Sequence, residues 1–368
     1  MAEQLTNYQC PNCNGPLTFD PKIQKLKCDN CGSTFTTDDI DKYFYEQNKE
    51  AASLDTNQQK SAAETLQWSQ EEAQQLRAYN CPSCGAQLIT DSTTAATSCP
   101  YCGNPTIVPS QFEGSLKPDY IIPFKLVKDD AINQLKEFYK GKPLLPKAFT
   151  SKNHIQEIKG VYVPFWLYDG IAEAHIRAHA TRVSTFQTRD EIVTTTDHFR
   201  VERDGTVDFK MVPADASSKM PDDFMDSIEP FDYSELVPFQ MSYLPGYLAD
   251  KYDVSSEDDA NRVDFRVKNS ALQLINESIM AYATCIPEKE NVQIFPQNVH
   301  YAFLPVWMLS TQYNGKNYLF AMNGQSGKMI GDDLPVDNAK MIGIFFAITL
   351  GGIALLFLII FVIAGGSL

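Results

Sequence analysis

Positive charge is scarce in this 368-residue chain: 31 Lys and Arg stand against 46 Asp and Glu, a formal net charge of −15. Such a balance opposes any general attraction to nucleic acid or to anionic lipid headgroups. The opening Met1-Ala2-Glu3-Gln4 lacks the apolar core of a signal peptide. The thiols are therefore expected in a reducing compartment, which argues against a disulfide framework. Residues 38–78 contain neither Pro nor Gly and are rich in Gln, Glu, Ala and Lys, a composition that predicts helix. Leu54, Leu66, Leu76 and Trp68 give that segment only a thin apolar stripe, so an exposed spacer is expected, with Trp68 as a local packing anchor. Catalytic signatures are missing too: there is no GxSxG, no HExxH and no glycine-rich phosphate loop. His154, His198 and His300 stand isolated. His175 and His179 lie in a strictly alternating stretch that reads as a strand, where they share a face about 13 Å apart, too far for one metal. No enzyme is expected.

What the chain has instead is cysteine in a pattern. Eight of its nine cysteines form two copies of one spacing, Cys10-x2-Cys13-x14-Cys28-x2-Cys31 and Cys81-x2-Cys84-x14-Cys99-x2-Cys102. Each copy offers two CxxC turns across a short hairpin, the requirement for a tetrahedral site of four sulfurs around zinc. Gly15, Gly32, Gly85 and Gly103 follow the knuckles and suit a left-handed turn there. Four protein ligands leave no open coordination position, so two structural Zn2+ ions are predicted. Cys285 reads as a small buried hydrophobe. Lys22, Lys25 and Lys27 punctuate the first ribbon, whereas the second, from Cys81 to Cys102, has Asp91 as its sole charge. A phosphate-binding face needs several cations together, which the second ribbon does not offer.

Residues 341–364 carry no charge at all. As helix they reach about 36 Å, enough to cross a hydrocarbon core of about 30 Å. With four residues after the span, and Lys328 and Lys340 before it, the sequence predicts a single-pass tail anchor with the N-terminal bulk cytoplasmic.

Between ribbons and span lies a repeat. Val161-Tyr162-Val163-Pro164-Phe165-Trp166-Leu167 is echoed by Ala302-Phe303-Leu304-Pro305-Val306-Trp307-Met308. Upstream, Tyr120–Leu126 is matched with Ser234–Met241, and helical sequence follows each, Asp129 to Lys140 and Ser255 to Ala283. Proline removes a ladder donor, so the echoed strands are expected at sheet edges or bulges. The expected fold is α+β: zinc ribbon 1 (1–37), helical spacer (38–78), zinc ribbon 2 (79–110), and a duplicated, mainly antiparallel α/β domain in halves 111–210 and 234–335. A mobile acidic loop (211–233) is expected between the halves, and the transmembrane helix (341–364) closes the chain.

The knuckles Cys10-Pro11-Asn12-Cys13, Cys28-Asp29-Asn30-Cys31, Cys81-Pro82-Ser83-Cys84 and Cys99-Pro100-Tyr101-Cys102, the doubled Pro-x-Trp segments and the apolar tail together resemble a family. It is that of the bacterial, mostly Firmicutes, membrane proteins with transcription-factor-IIB-type (TFIIB-type) zinc ribbons, sometimes labelled primosomal helicase or phage replication proteins. The helicase label finds no Walker A motif here. The resemblance implies a membrane-stress complex containing a flotillin-like (SPFH) protein and a recruited phage-shock-protein-A-like (PspA-like) coat. The expectation is a membrane-anchored adaptor that binds protein partners, with homo-oligomers among the expected assemblies. The alternative is a membrane-tethered nucleic-acid-binding ribbon protein.

Overall fold

The computed structural model describes residues 10–13, 15–43, 68, 72–73, 76–91, 98–104, 108–110, 116–155, 157–189, 191–279 and 281–363. Most of the expected spacer lies outside these residues. Its described start, 37–43, is helical, but its end is the strand Leu76–Asn80.

Three strands form a small sheet: β1 (Leu17–Asp20), β2 (Lys25–Cys28) and β3 (Thr34–Phe35). The remaining strands join one mixed, mainly antiparallel sheet of eleven. In chain order they are β4 (Leu76–Asn80), β5 (Gln87–Asp91), β6 (Val108–Ser110), β7 (Tyr120–Ile121), β8 (Lys159–Gln187) and β9 (Ile192–Asp215). They continue as β10 (Val237–Pro238), β11 (Leu248–Asp250), β12 (Thr284–Tyr313), β13 (Lys316–Asn323) and β14 (Met329–Gly331). The helices that matter below are α1 (Lys128–Tyr139), α2 (Asp222–Ile228), α3 (Ser256–Glu277) and α4 (Asn338–Ile363).

The echoed segments are the middle of this sheet. β8 and β12 run antiparallel, with Pro164 opposite Phe303 and Tyr162 opposite Pro305, so each Pro-x-Trp segment faces the other about a local two-fold. Flanking contacts match on both sides. β7 lies parallel to β12 at Ala302 and Phe303, and β11 lies parallel to β8 at Val161 and Tyr162. Trp307 donates its indole N–H to the Leu126 carbonyl (3.1 Å), and Trp166 donates to that of Val254 (3.0 Å). Lys125 and Leu126 donate their amides to Gly324 O, as Asp253 and Val254 do to Ala216 O. The counterpart of Tyr120–Leu126 is thus Leu248–Val254. Ser234–Met241, matched to it by sequence, instead contributes β10, which pairs antiparallel with β7.

The two echoed prolines are central, not at an edge. Each sits where one flank of its strand changes partner: β8 leaves β11 after Tyr162 and meets β9 from Phe165, and β12 leaves β7 after Phe303 and meets β13 from Val306. The missing N–H falls in that gap, while the proline carbonyls accept from Ala216 and Gly324, both at 2.8 Å. The bulge rule does hold for Pro287 and Pro296, which mark the two register shifts of β12.

Beyond this centre β8, β9 and the first half of β12 extend as a three-stranded arm. β8 alone has 29 residues, roughly 95 Å at 3.3 Å per residue. The alternation read from Ala172 to Ala180 is what lets a helix lie on it. Ala172, Ala174 and Ala178 are buried on one face, where α3 lays Val263, Val267, Ala271 and Ile275, and Ala180 continues that face beside Ile279. Ser255 caps α3 by accepting from the Asp258 amide (3.3 Å), and Glu257, Asp258 and Asp259 suit its N-terminal dipole.

The acidic segment expected as a mobile loop is ordered. β9 runs to Asp215, and α2 buries Phe224, Met225 and Ile228. Its charges meet arginines of α3: Arg262 pairs with Asp215 (2.6 Å) and Asp226 (2.5 Å), and Arg266 with Glu229 (2.5 Å).

Among the described residues one helix, α4, is long and apolar enough to cross a membrane, and its span Asn338–Ile360 has no buried residue. It begins at Asn338, three residues before the charge-free run. Its first turn is held to the body, with the Asp337 amide on Leu144 O (2.8 Å) and Lys340 Nζ on Leu145 O (2.6 Å).

Candidate metal centres

Each cysteine quartet converges. Cys10, Cys13, Cys28 and Cys31 bring their sulfurs within 4.8 Å of one another, and so do Cys81, Cys84, Cys99 and Cys102. The close pairs are Cys10–Cys31 and Cys13–Cys28 at 3.5 Å, and Cys81–Cys102 and Cys84–Cys99 at 3.6 Å. A disulfide needs about 2.05 Å, whereas a tetrahedron with metal–sulfur bonds of about 2.3 Å has edges of about 3.8 Å. The geometry therefore suits one tetrahedral metal ion per quartet.

Local backbone chemistry builds the four knuckles alike. The amides of Cys10, Cys28, Cys81 and Cys99 donate to the carbonyls of Gly15, Ser33, Ala86 and Asn104 at 2.8–2.9 Å. Gly32, Gly85 and Gly103 take the expected left-handed conformation, with φ of 74°, 73° and 70°. Gly15 does not; its constraint is space, because a Cβ there would stand 3.2 Å from the Cys28 sulfur and 3.3 Å from that of Cys13.

Thiols packed this closely do not all ionise unaided. Burial pushes Cys84 up to about 11, while the Ser33 hydroxyl and amide hold Cys31 down to about 6. A divalent cation held at the centre would stabilise all four as thiolates.

Neither quartet stands apart from the body. β5 pairs with β11, with Ile89 opposite Ala249, so the second quartet belongs to the large sheet. Tyr101, inside a knuckle, donates its hydroxyl to buried Asp250 at 2.5 Å, and Ser217 donates to the same oxygen at 2.6 Å. Burial pushes the Asp250 carboxyl up to about 7 against those two bonds. Tyr101 is readable as a knuckle residue, but nothing in the sequence around Asp250 signals this contact. The first quartet docks through Phe19 N on Pro245 O (3.1 Å) and Gln24 Nε2 on Phe124 O (2.8 Å). Lys22, Lys25 and Lys27 are exposed on its hairpin. Trp68 packs edge-on against Phe239, with centroids 5.5 Å apart.

The histidines stay on the arm. His175 pairs with Asp204 across to β9, and His179 lies 3.3 Å from His198, which stands isolated in sequence but not in space. Off the arm, His154 bridges Glu157 and Thr311, and His300 stands 3.5 Å from Asp169. Cys285 is half-buried beside Ile279 and Phe199. Among the described residues, the two cysteine quartets are the groups that could hold a metal ion.

No family model matches the chain, and no solved structure matches it. It is 34% identical over 362 residues to the "Uncharacterized protein YdjG" of Bacillus subtilis (strain 168), a match that covers 98% of this chain and 99% of that one.

Proposed function

This chain belongs to the same family as YdjG, and we propose that it is a non-enzymatic, single-pass membrane adaptor whose cytoplasmic body is ordered by two structural Zn2+ ions. The observation that carries this reading is the combination of two closed four-cysteine clusters fused to the body with an apolar helix none of whose described residues is buried. Four thiolates per site leave no coordination position for a substrate, so the metal serves shape. The matched contacts about β8 and β12 support a duplicated α+β unit as the body's plan. Confinement by the helix to two dimensions raises the effective concentration of other membrane-bound proteins, which makes modest affinities sufficient. By resemblance, the partners are a PspA-like coat and an SPFH protein.

The experiment is crosslinking and affinity purification of the full chain from its native membrane, with and without Cys81→Ser and Cys84→Ser. Stoichiometric membrane-associated proteins that disappear in the double variant are the expected result. Nucleic acid without protein in the eluate would replace the adaptor reading with the tethered nucleic-acid one.

A further inference from the structure

The arm has two long outer edges, and they differ. Along Thr284–Val299 the β12 edge carries Pro287 and Pro296, both at register shifts, which are devices that prevent strand addition. Among the described residues β9 pairs with β8 alone, with no shift from Ile192 to Phe209 and no proline in that run. Hydrogen-bonded pairs alternate along an antiparallel ladder. The Thr188 amide closes the hairpin on Glu191 O (2.8 Å), which directs the odd-numbered amides of β9 toward β8 and the even-numbered ones outward. A row of donors and acceptors that neither proline nor bulge interrupts is thus left on the outer side, on exposed residues such as Thr196, Arg200 and Glu202.

The charges on that row are self-complementary. An antiparallel second copy paired about Val201 sets Arg200 opposite Glu202, His198 opposite Asp204, and Thr196 opposite Thr206, each twice by symmetry, with no like charges facing. Shifting the centre to residue 200 or 202 sets Arg200 or Glu202 against itself, and 203 sets Glu202 against Asp204. Like charges directly opposite are destabilising in a sheet. Arg200 makes no hydrogen bond or ion pair with any described residue, while Glu202 and Asp204 already bond Arg177 and His175 along one side. The geometry points to an isologous dimer of this chain formed by β9 edge pairing centred on Val201. It is independent of the adaptor reading.

The test is sedimentation of the full chain in density-matched detergent, with zinc content and circular dichroism confirming that each variant is folded. Arg200→Glu sets two pairs of like charge in place of two attractive ones and is expected to raise the dimer dissociation constant about tenfold or more. The double variant Arg200→Glu/Glu202→Arg, made together with Arg177→Glu so that residue 202 still faces an opposite charge on β8, restores opposite charges and the dimer with them. Thr196→Pro removes an outward donor without touching the β8 ladder and is expected to weaken the dimer as well. A monomeric wild type, a dimer indifferent to both single variants, or a double variant that fails to recover would each overturn the proposal; in the second case association through α4 or another surface would be responsible.

Discussion

Tyr162 and Phe303 occupy matched positions on the two central strands, yet one carries a hydroxyl. The Tyr162 ring is fully buried and its oxygen has no hydrogen-bond partner, although it lies close to the Phe124 main chain. A buried hydroxyl left unpaired costs about 1–3 kcal/mol. Tyr162→Phe is therefore expected to hold stability or raise it by about 1 kcal/mol in denaturant unfolding, and a clear loss would show that the oxygen has a partner. Asp215 makes a second, pH-dependent prediction. Its side chain is 1% exposed, and burial pushes the carboxyl up to about 6 despite the opposing Arg262 guanidinium. A carboxyl with a raised folded pKa binds its proton before the unfolded chain does. Its contribution to stability is thus largest below about pH 4 and is lost as pH rises to about 6. Wild-type stability minus that of Asp215→Asn should fall across that window; a flat difference would place the carboxyl in the ordinary range.

Elements show where the sequence was legible and where it was not. The spacing of the cysteine quartets, the alternating alanines of β8, the extent of α1 and the start of α3 could each be read locally, because periodicity and caps are properties of neighbouring residues. Partner exchange is not local: Pro164 and Pro305 suggest edge strands until the flanks change partner beside them. The charges of α2 likewise read as solvated until Arg262 and Arg266 arrive from α3. The alanine face yields a packing prediction. Ala174 is 3% exposed in the layer under α3, so Ala174→Leu overpacks it and should cost about 1–3 kcal/mol in thermal or chemical unfolding. A neutral result would mean that α3 rides loosely on the arm.

For the molecule as a whole, β5–β11 pairing makes the second cysteine quartet part of the main sheet. Chelation is therefore expected to lower the melting temperature of the body as well as to unfold the knuckles, and a body whose melting is unchanged by chelator would separate the two. Removal of residues 338–368 should move the chain from the membrane to the soluble fraction on fractionation, with its fold retained. What sequence alone misses at this scale is integration: the knuckles were readable one by one, but their fusion to the body rests on Asp250, Pro245 and Phe124, which are far away in the chain.

The arm, finally, is a ruler. β8 and β12 keep one register from Gly170 to Arg177, and β8 and β9 keep one from Gly170 to Gln187. Excising two residues from each strand would shorten the reach by about 7 Å and keep every side chain on its face. Excising one from each would invert the alanine stripe and strand α3 over the histidines. The distance from the body to the hairpin tip is thus adjustable only in steps of two residues, which gives a graded way to ask how far that tip has to reach.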